Sequence, residues 1–423
     1  MLEIFKIILI FPVFFLFLIF PINSYNKKNI LIDCDIYPLN LLINLNVLFI
    51  FSLLPIAIEK YQIFLLLLYL GGLLFKISKN NFNYIFYNKS AILIFFISFL
   101  IISFSVASNL KFGWDAKFFY YIKTLFFFEG LNLDKIKNFS DYNWHPHFGS
   151  YLWAFFWKMP FVNIEYFGRL FYVFIFCFSL VSIIFSNNKK NYFKIIFFLV
   201  TLILIYNYER FSGLQDVLIF SLLIISSKLL YEISHKNLYN FFGLFLVTNL
   251  LLWIKSEGLV FTGILLTILA LNNKVTLQKK IFVMIYAIVI ILFKKVVYIY
   301  FDFDTVAQPH YNLDFIFSLN FMDLLNRIGN IIIYISYYGL TNVLFFLGIL
   351  TLFFLNFKNI EKINIKMFNY YFLLNLSFIF CAYIFREMEI VYALRTTMER
   401  IVFISSGYYF YLIFLFIDKK IKY

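Results

Sequence analysis

Residues 91–108 read AILIFFISFLIISFSVAS, a stretch without one charged side chain. An α-helix needs about 20 predominantly apolar residues to cross the hydrocarbon core of a bilayer. Runs of this kind recur along the whole 423-residue chain, in which 63% of the residues are hydrophobic and 14% are charged. That composition leaves too little polar surface for a water-soluble globule. The sequence therefore predicts an all-α, polytopic transmembrane helical bundle.

The apolar runs predict twelve or thirteen spans in a single integral-membrane domain that covers residues 1–423. Residues 1–90 hold N-terminal spans whose sidedness is unresolved, because Lys27 and Lys28 compete with Asp33 and Asp35. The predicted helices are 4–21, 39–58, 61–77, 91–108, 163–186, 192–206, 214–231, 239–254, 257–272, 281–300, 329–356, 369–385 and 400–417.

Lysines are concentrated in six short segments between the predicted spans, which accounts for much of the net charge of +14. A basic excess in short loops is typical of cytoplasmic loops, so we interpret the charge as a topology signal and expect no nucleic-acid partner. The complementary segments should face the other side of the membrane, and they carry most of the remaining ionisable residues. These outer segments are 109–162, 207–213, 255–258, 301–328 and 386–400.

The longest outer segment, 109–162, is predicted to be a catalytic-type loop that carries short interfacial helices. If a helix follows Gly113, then Asp115, Phe119 and Lys123 recur every four residues and share one face. The carboxylate could take a proton from an attacking hydroxyl while the cation stabilises charge on a leaving phosphate. The alternative is an ordinary interfacial helix whose lysine reaches lipid headgroups.

Two histidines, His145 and His147, lie further along the same segment, followed by Tyr151 and Trp153. In an extended backbone the two imidazoles would share a face, as metal ligands sometimes do. The alternative is a rim of histidine and aromatic side chains packed at the membrane surface.

Lys255-Ser256-Glu257-Gly258 interrupts an apolar stretch that is too long for one span, so the sequence predicts two short spans with a charged turn. A lysine and a glutamate at such a break indicate a cavity, or else they satisfy each other in a hairpin. Asp216 begins the span after the 207–213 segment. It can reach the same outer cavity, or it can act as an N-terminal acid that favours the helix dipole.

Arg395 and Arg400 lie five positions apart with threonines between them. Guanidinium groups are preferred bidentate partners of phosphate, whereas the alternative is anchoring to lipid headgroups. Asp302 and Asp304 form a D-x-D string that could hold Mg²⁺ or Mn²⁺. A divalent cation is thus the candidate cofactor, although the sequence specifies none with certainty.

In their order along the chain, these motifs resemble bacterial integral-membrane glycosyltransferases of the GT-C superfamily, over about residues 91–417. The resemblance implies inverting transfer of a sugar from a polyprenyl-phosphate donor to a lipid, glycan or protein acceptor. The reaction would take place at the non-cytoplasmic face of the bacterial inner membrane. The motifs that carry the resemblance are Gly113-Trp114-Asp115-Ala116 with Lys123, His145-Pro146, Asp216, Leu252-Trp253-Ile254-Lys255-Ser256-Glu257-Gly258 and Leu394-Arg395-Thr396-Thr397-Met398-Glu399-Arg400.

The resemblance also implies residue roles, with Asp115 as general base and further acidic positions at Asp216 and Glu257. The candidate ligands of the donor phosphate are Lys123, Lys255, Arg395 and Arg400. The candidate contacts to the acceptor or sugar are Trp114, His145, Tyr151 and Trp153. The chain departs from the superfamily in two ways: no D-x-D or E-x-D pair lies between Trp114 and Trp153, and four hydrophobic runs precede Asp115.

Two other classes of protein would use the same charges. A transporter or flippase of lipid-linked saccharides would line its path with them, and an O-antigen polymerase or ligase-like enzyme would place arginines at the outer face. The sequence contains no nucleotide-binding phosphate loop and no dinucleotide turn, which argues against a fused ATPase or Rossmann domain. No internal repeat is evident.

Overall fold

The computed structural model describes residues 2–21, 33–78, 89–136, 143–159, 163–186, 191–233, 238–303, 314–357 and 365–420. These residues contain no β-strand, which confirms the all-helical prediction. The α-helices are α1 Leu2–Ile19, α2 Asp33–Leu53, α3 Ile58–Ser78, α4 Lys89–Ser108, α5 Tyr121–Phe128, α6 Leu133–Ile136, α7 Phe148–Trp157, α8 Tyr166–Ile184, α9 Asn191–Ile205, α10 Asp216–Glu232, α11 Leu238–Ile254, α12 Glu257–Leu271, α13 Leu277–Tyr300, α14 Asp314–Ser318, α15 Phe321–Thr341, α16 Val343–Phe357, α17 Lys366–Ile384 and α18 Ile390–Lys420.

Six helices within the described ranges are long and apolar enough to cross a bilayer, and a bent pair would make a seventh. The described residues therefore contain the apolar helices of a polytopic membrane protein, but with six or seven candidate spans in place of the predicted twelve or thirteen. Four predicted spans fold as shorter apolar helices of 10–17 residues: Ile4–Ile19, Tyr192–Ile205, Tyr239–Ile254 and Glu257–Leu271. The six full-length candidates are Ile36–Leu53, Ser90–Ser108, Tyr166–Ile184, Leu277–Tyr300, Lys366–Ile384 and Ile390–Asp418.

The predicted single helix at 329–356 is instead two helices, α15 and α16, which meet at an angle of 98°. The break falls at Asn342, whose backbone leaves the helical region at φ −84°, ψ 101°. Its side-chain oxygen accepts a hydrogen bond from the amide of Phe345 at 3.0 Å. Asparagine is a preferred N-cap because it satisfies an amide that a new helix leaves unpaired, and apolar run length alone does not reveal such a break.

The chain divides into two compact units. The first contains residues 1–221 and 245–256, and the second contains residues 222–244 and 257–423. Two of the boundaries fall inside α10 and α11, and the third falls at the turn before α12. Because these boundaries lie within or directly beside helices, no linker-like composition marks them.

The first unit is built around α8, whose candidate span Tyr166–Ile184 is entirely buried. A helix that is apolar on all sides is expected to lie inside a bundle. Helices α1, α2, α4 and α7 pack directly on it. Phenylalanine rings fill the contacts, for example Phe171 stacked on Phe156 at 3.8 Å and edge-on to Phe14 at 5.1 Å between ring centroids.

Side chains of α2 satisfy the last carbonyls of α1. The amide of Asn40 donates to the carbonyl of Leu18 at 2.9 Å, and that of Asn44 donates to the carbonyls of Phe17 and Phe20 at 2.8 and 2.7 Å. The final carbonyls of a helix have no partner within the helix, so a helix that ends in an apolar core needs donors from elsewhere. The two asparagines therefore provide donors for the carbonyls at the end of α1.

The second unit is organised by α18, which packs against α15, α16 and α17. Gly348 lies where α16 crosses α18, and a Cβ atom there would come within 2.5 Å of the Cβ of Tyr409. The absence of a side chain thus permits this close helix packing.

We expect Gly348→Ala to lower the free energy of unfolding by about 1–3 kcal/mol, because the added methyl group overpacks the contact. Gly263→Ala in α12 is the matched control, since nothing lies within 4 Å of its added Cβ. That control should be neutral or stabilising by up to about 1 kcal/mol. Thermal unfolding of both variants in detergent measures the difference, and equal melting temperatures would contradict the packing assignment.

Candidate functional site

Asp115 lies at the start of a short helical segment, as the sequence predicts. Ala116–Tyr120 is a π-helix, and α5 follows it directly. A π-helical turn holds more residues than an α-turn, so the spacing that would align Asp115 with Lys123 on one α-helical face is not kept. Asp115 is half-buried, whereas the neighbouring Trp114 is 67% exposed.

The irregular stretch before Asp115 is hydrogen-bonded to the segment that leads into Asp216. The amide of Gly113 donates to the carbonyl of Ser212 at 3.0 Å, and the hydroxyl of Tyr208 donates to the carbonyl of Lys111 at 2.9 Å. The two predicted outer segments 109–162 and 207–213 therefore contact each other within the first unit.

Gly213 allows this contact to be close. Its φ of +92° favours glycine, and a Cβ there would come within 2.5 Å of the ring of Trp153 and 2.9 Å of the Cβ of Ala116. Any larger residue would push these segments apart. The backbone on the C-terminal side of Asp115 thus rests against the turn that precedes α10.

Sequence reasoning missed an ion pair that supports this contact. Glu165 and Arg169 form two hydrogen bonds of 2.9 Å, and the arginine is fully buried. The guanidinium also donates to the carbonyl of Phe211 at 3.5 Å and lies 5.1 Å from the ring centroid of Phe112. Burial raises the pKa of Glu165, and Arg169 opposes that effect. The Glu-x-x-x-Arg spacing at the start of α8 was the signal available in the sequence.

Asp216 and Lys255, two of the predicted site residues, form a buried ion pair. The Nζ of Lys255 lies 2.7 Å from the Oδ1 of Asp216, and their side chains are 5% and 3% exposed. Beside them, the Gln215 amide, in the orientation that satisfies both of its groups, donates to the carbonyl of Ile254 and accepts from the amide of Ser150 at 3.2 Å. Adjacent residues at the start of α10 therefore hold adjacent residues at the end of α11.

We call the contacts of Gln215 with Ile254 and of Asp216 with Lys255 the clamp. The clamp lies at the predicted break at Lys255-Ser256, where α11 ends at Ile254 and α12 begins at Glu257. In the structure Lys255 pairs with Asp216, the other acid that the sequence directs to the same outer cavity. A buried charge pair is tolerated because each ion neutralises the other. The ammonium of Lys255 that the sequence assigned to a phosphate thus already has a carboxylate partner.

Lys123 is also engaged by the protein. Its ammonium donates to the carbonyls of His145 at 2.6 Å and Asn143 at 3.4 Å, and the residue is 1% exposed. Within the described residues no carboxylate forms an ion pair with it. Desolvation therefore lowers the pKa of Lys123 to about 7.

The predicted sugar contacts differ in their accessibility. His145, Tyr151 and Trp153 are buried, and Trp114 is the exposed member of the set. His147 lies 2.9 Å from the hydroxyl of Ser52 through its Nε2. Contact of a sugar with the three buried residues would require displacement of their present neighbours.

Polar bonds extend from the π-helix to the Gln215 clamp. The carbonyl of Tyr120, the last residue of the π-helix, accepts from the hydroxyls of Ser150 at 3.0 Å and Thr124 at 2.9 Å. The backbone amide of Ser150 in turn donates to the side-chain oxygen of Gln215. Segments from four parts of the sequence are thus tied into one polar network, which consists of residues 111–124, 143–150, 207–216 and 254–255.

The remaining predicted residues belong to the second unit. Glu257 is the half-buried first residue of α12, and Arg400 is half-buried within α18. Arg395 is exposed, and its Nε donates to the hydroxyl of Tyr334 at 2.9 Å. Its role in phosphate binding stays a prediction.

Arg327 has a structural role that its position in a predicted outer segment did not reveal. It lies in α15 and donates to the carbonyls of Tyr383 at 3.0 Å, Arg386 and Met388 at 3.4 Å. One guanidinium thereby supplies donors to the end of α17 and to the turn that follows. The predicted outer segments 301–328 and 386–400 therefore contact each other in the second unit.

The predicted D-x-D string is described only in part. Asp302 is exposed and adopts a left-handed conformation with φ +52°, whereas Asp304 lies outside the described residues. No group of three or more His, Cys, Asp or Glu side chains suited to a metal ion occurs in the part of the chain that the structure describes.

No family model, no curated protein and no solved structure matches this chain.

We expect Asp216→Asn to lower the free energy of unfolding by about 3–5 kcal/mol, because Lys255 would be left buried without its counter-ion. The double variant Asp216→Leu/Lys255→Met removes both charges, so its free energy of unfolding should fall far less than that of Asp216→Asn. Glu59→Gln breaks the partly exposed Lys158–Glu59 pair and is the control, with an expected effect of about 1 kcal/mol. Thermal unfolding in detergent measures all three, and a double variant as unstable as the single one would contradict this account.

The lowered pKa of Lys123 predicts a pH dependence of stability. Between about pH 7 and 10.5 the unfolded chain carries a proton on Lys123 that the folded chain lacks, so stability should rise with pH. The slope from this residue is at most about 1.4 kcal/mol per pH unit. Lys123→Met should remove that contribution, and the difference between the two unfolding curves from pH 7 to 10 isolates it. Identical pH profiles would argue against a neutral Lys123 in this range.

Proposed function

We propose that this chain is a glycosyltransferase of the bacterial inner membrane that uses a polyprenyl-phosphate sugar and acts at the non-cytoplasmic face. The observation that supports the proposal is the polar network of the first unit. It joins parts of three segments that the charge pattern assigns to one side of the membrane, 109–162, 207–213 and 255–258, and Asp115 lies half-buried at its edge.

The chemistry assigned to Asp115 is general-base catalysis. Its carboxylate accepts the proton of an acceptor hydroxyl while that oxygen forms a bond to the anomeric carbon of the donor sugar. The bond between the anomeric carbon and the phosphate oxygen breaks, and the electron pair leaves with the polyprenyl phosphate. Attack from the face opposite the leaving group inverts the anomeric configuration. The π-helix directly after Asp115 is consistent with this role, since π-helical turns are frequent at functional sites.

A lipid donor agrees with the class of the protein. Nucleotide sugars are absent outside the cytoplasm, so an outward-facing enzyme of envelope glycan synthesis needs a donor that arrives within the bilayer. A membrane protein with polar segments on one side offers such a donor a site at the bilayer surface. The acceptor is a hydroxyl on a lipid, glycan or protein.

The other residues take different parts in this proposal. Because the charges of Asp216 and Lys255 are already paired with each other, we assign these two residues a positioning role. Their ion pair holds the segments that support Asp115. Lys123 holds the 143–145 backbone. Trp114 is the exposed aromatic proposed for sugar stacking. For Arg395 and Arg400 of the second unit, contact with the donor phosphate stays a prediction from the sequence. For Glu257, also of the second unit, a role as a further acid likewise stays a prediction from the sequence.

A carrier of lipid-linked saccharides is the second candidate function. The 98° break between α15 and α16 favours it, because transporters form their central sites at interrupted helices. Proteoliposomes separate the two: translocation of a lipid-linked sugar without formation of a glycosidic bond would support the carrier and contradict the enzyme.

We expect Asp115→Asn to reduce sugar transfer by at least about 100-fold, since the amide cannot take the acceptor proton. The control is Asp134→Asn, an exposed acid of α6 in the same predicted outer segment, which should leave transfer unchanged. The first measurement is mass spectrometry of surface glycolipids and glycans in a deletion strain, which identifies the missing sugar. Complementation with each variant, at matched membrane abundance, then tests the base.

A fully active Asp115→Asn variant would remove the assignment of Asp115 as base. An unchanged set of surface glycans in the deletion strain would count against the glycosyltransferase itself.

A further inference from the structure

Helix α13 carries two pairs of adjacent lysines, Lys279–Lys280 and Lys294–Lys295, although it is a candidate membrane span. Residues 281–293 between the pairs contain no charged side chain. Lysines within a span are rare because a charge in hydrocarbon is unfavourable, so each pair requires a polar environment within reach.

The length of the uncharged stretch shows where that environment lies. The Cα atoms of Lys280 and Lys294 are about 21 Å apart along the helix, at 1.5 Å of rise per residue. The hydrocarbon core is about 30 Å thick. The shortfall of about 10 Å is shared between the two ends, and the flexible four-carbon stem of lysine can bridge it toward each headgroup layer. Residues 296–300 then lie in the interfacial region, where Tyr298 and Tyr300 are favoured.

The surface around Lys295 is exposed and apolar, as expected of a helix face in contact with lipid. Lys295 is exposed, and so are the apolar side chains around it on the helix, Ile291, Leu292, Val296 and Ile299. No carboxylate among the described residues forms an ion pair with Lys295. Its counter-charge is therefore expected from the bilayer.

Lys294 is half-buried, and its Nζ lies 5.4 Å from the ring centroid of Tyr298. The side chain of Tyr298 tilts back toward the N-terminus of α13, so its ring meets the ammonium over the turn that contains Lys294. Lys295 is the more exposed of the two lysines.

We propose that Lys294 and Lys295 form a binding site for the phosphate of an anionic phospholipid of the surrounding bilayer. Two adjacent ammonium groups at headgroup depth complement a single negative phosphate, and the exposed apolar residues of α13 contact the acyl chains. This site does not depend on the glycosyltransferase activity. With the sidedness predicted from the basic loops, the segment after α13 is outer, so the bound lipid belongs to the outer leaflet. A lysine pair at an outer span end runs against the positive-inside trend, and lipid binding supplies a reason for it.

The test is native mass spectrometry of the purified full chain in a neutral detergent, titrated with dioleoyl phosphatidylglycerol or dioleoyl phosphatidylcholine. We expect the wild type to bind phosphatidylglycerol more tightly. Lys294→Gln and Lys295→Gln should each weaken that binding about fivefold, since a lysine near a charged surface contributes about 1 kcal/mol. Lys294→Arg/Lys295→Arg keeps both charges and should retain binding. The matched control is Lys274→Gln/Lys366→Gln, which removes two exposed charges elsewhere in the second unit and should have little effect.

Three results would overturn the proposal. The first is equal affinity of the wild type for the two phospholipids. The second is an equal loss of binding in the control variant, which would indicate general attraction by net charge. The third is a dependence on these lysines for an added polyprenyl phosphate but not for phosphatidylglycerol, which would reassign the site to the sugar donor.

Discussion

The structure depends on one constraint: wherever a helix ends inside an apolar environment, its unpaired carbonyls need hydrogen-bond donors from the protein. Asn44 supplies them at the end of α1, Gln215 at the end of α11 and Arg327 at the end of α17. Lys123 does the same for a segment without regular structure. Many polar side chains of this hydrophobic chain are therefore bound to its own backbone.

That constraint changes how the candidate site is interpreted. Charged residues in an apolar sequence invite a catalytic assignment, yet the geometry separates those that hold the backbone from those that are accessible. Lys123 is buried and donates hydrogen bonds to backbone carbonyls, and Asp216 is paired with Lys255. Asp115 differs because it is half-buried beside an exposed tryptophan. Of the two acids that the sequence assigns to the site in the first unit, Asp115 is thus more accessible than Asp216.

Apolar run length predicted most helices well, because hydrophobic runs between charged segments are a local property. The breaks were less predictable. Lys255-Ser256 was visible as charge, whereas the bend at Asn342 depends on one capping side chain in an apolar context. Pairings across the chain, such as Lys255 with Asp216, could not be assigned because periodicity contains no information on which distant residues meet. Trp153 was expected at a ligand surface, but the close approach of Gly213 places it in the core.

The glycines explain why the segment with Asp115 can be held so firmly by so few polar bonds. Gly113 has the side-chain oxygen of Ser212 within 2.8 Å of where a Cβ would lie, and Gly213 has both Trp153 and Ala116 within 2.9 Å. Backbones this close exchange direct hydrogen bonds, which leave little freedom for the turn between them. Trp114, which directly follows Gly113, takes no part in this close approach and is exposed. A rigid backbone beneath an accessible aromatic and a half-buried acid is the arrangement that a preorganised base requires, since its position is fixed before a substrate arrives.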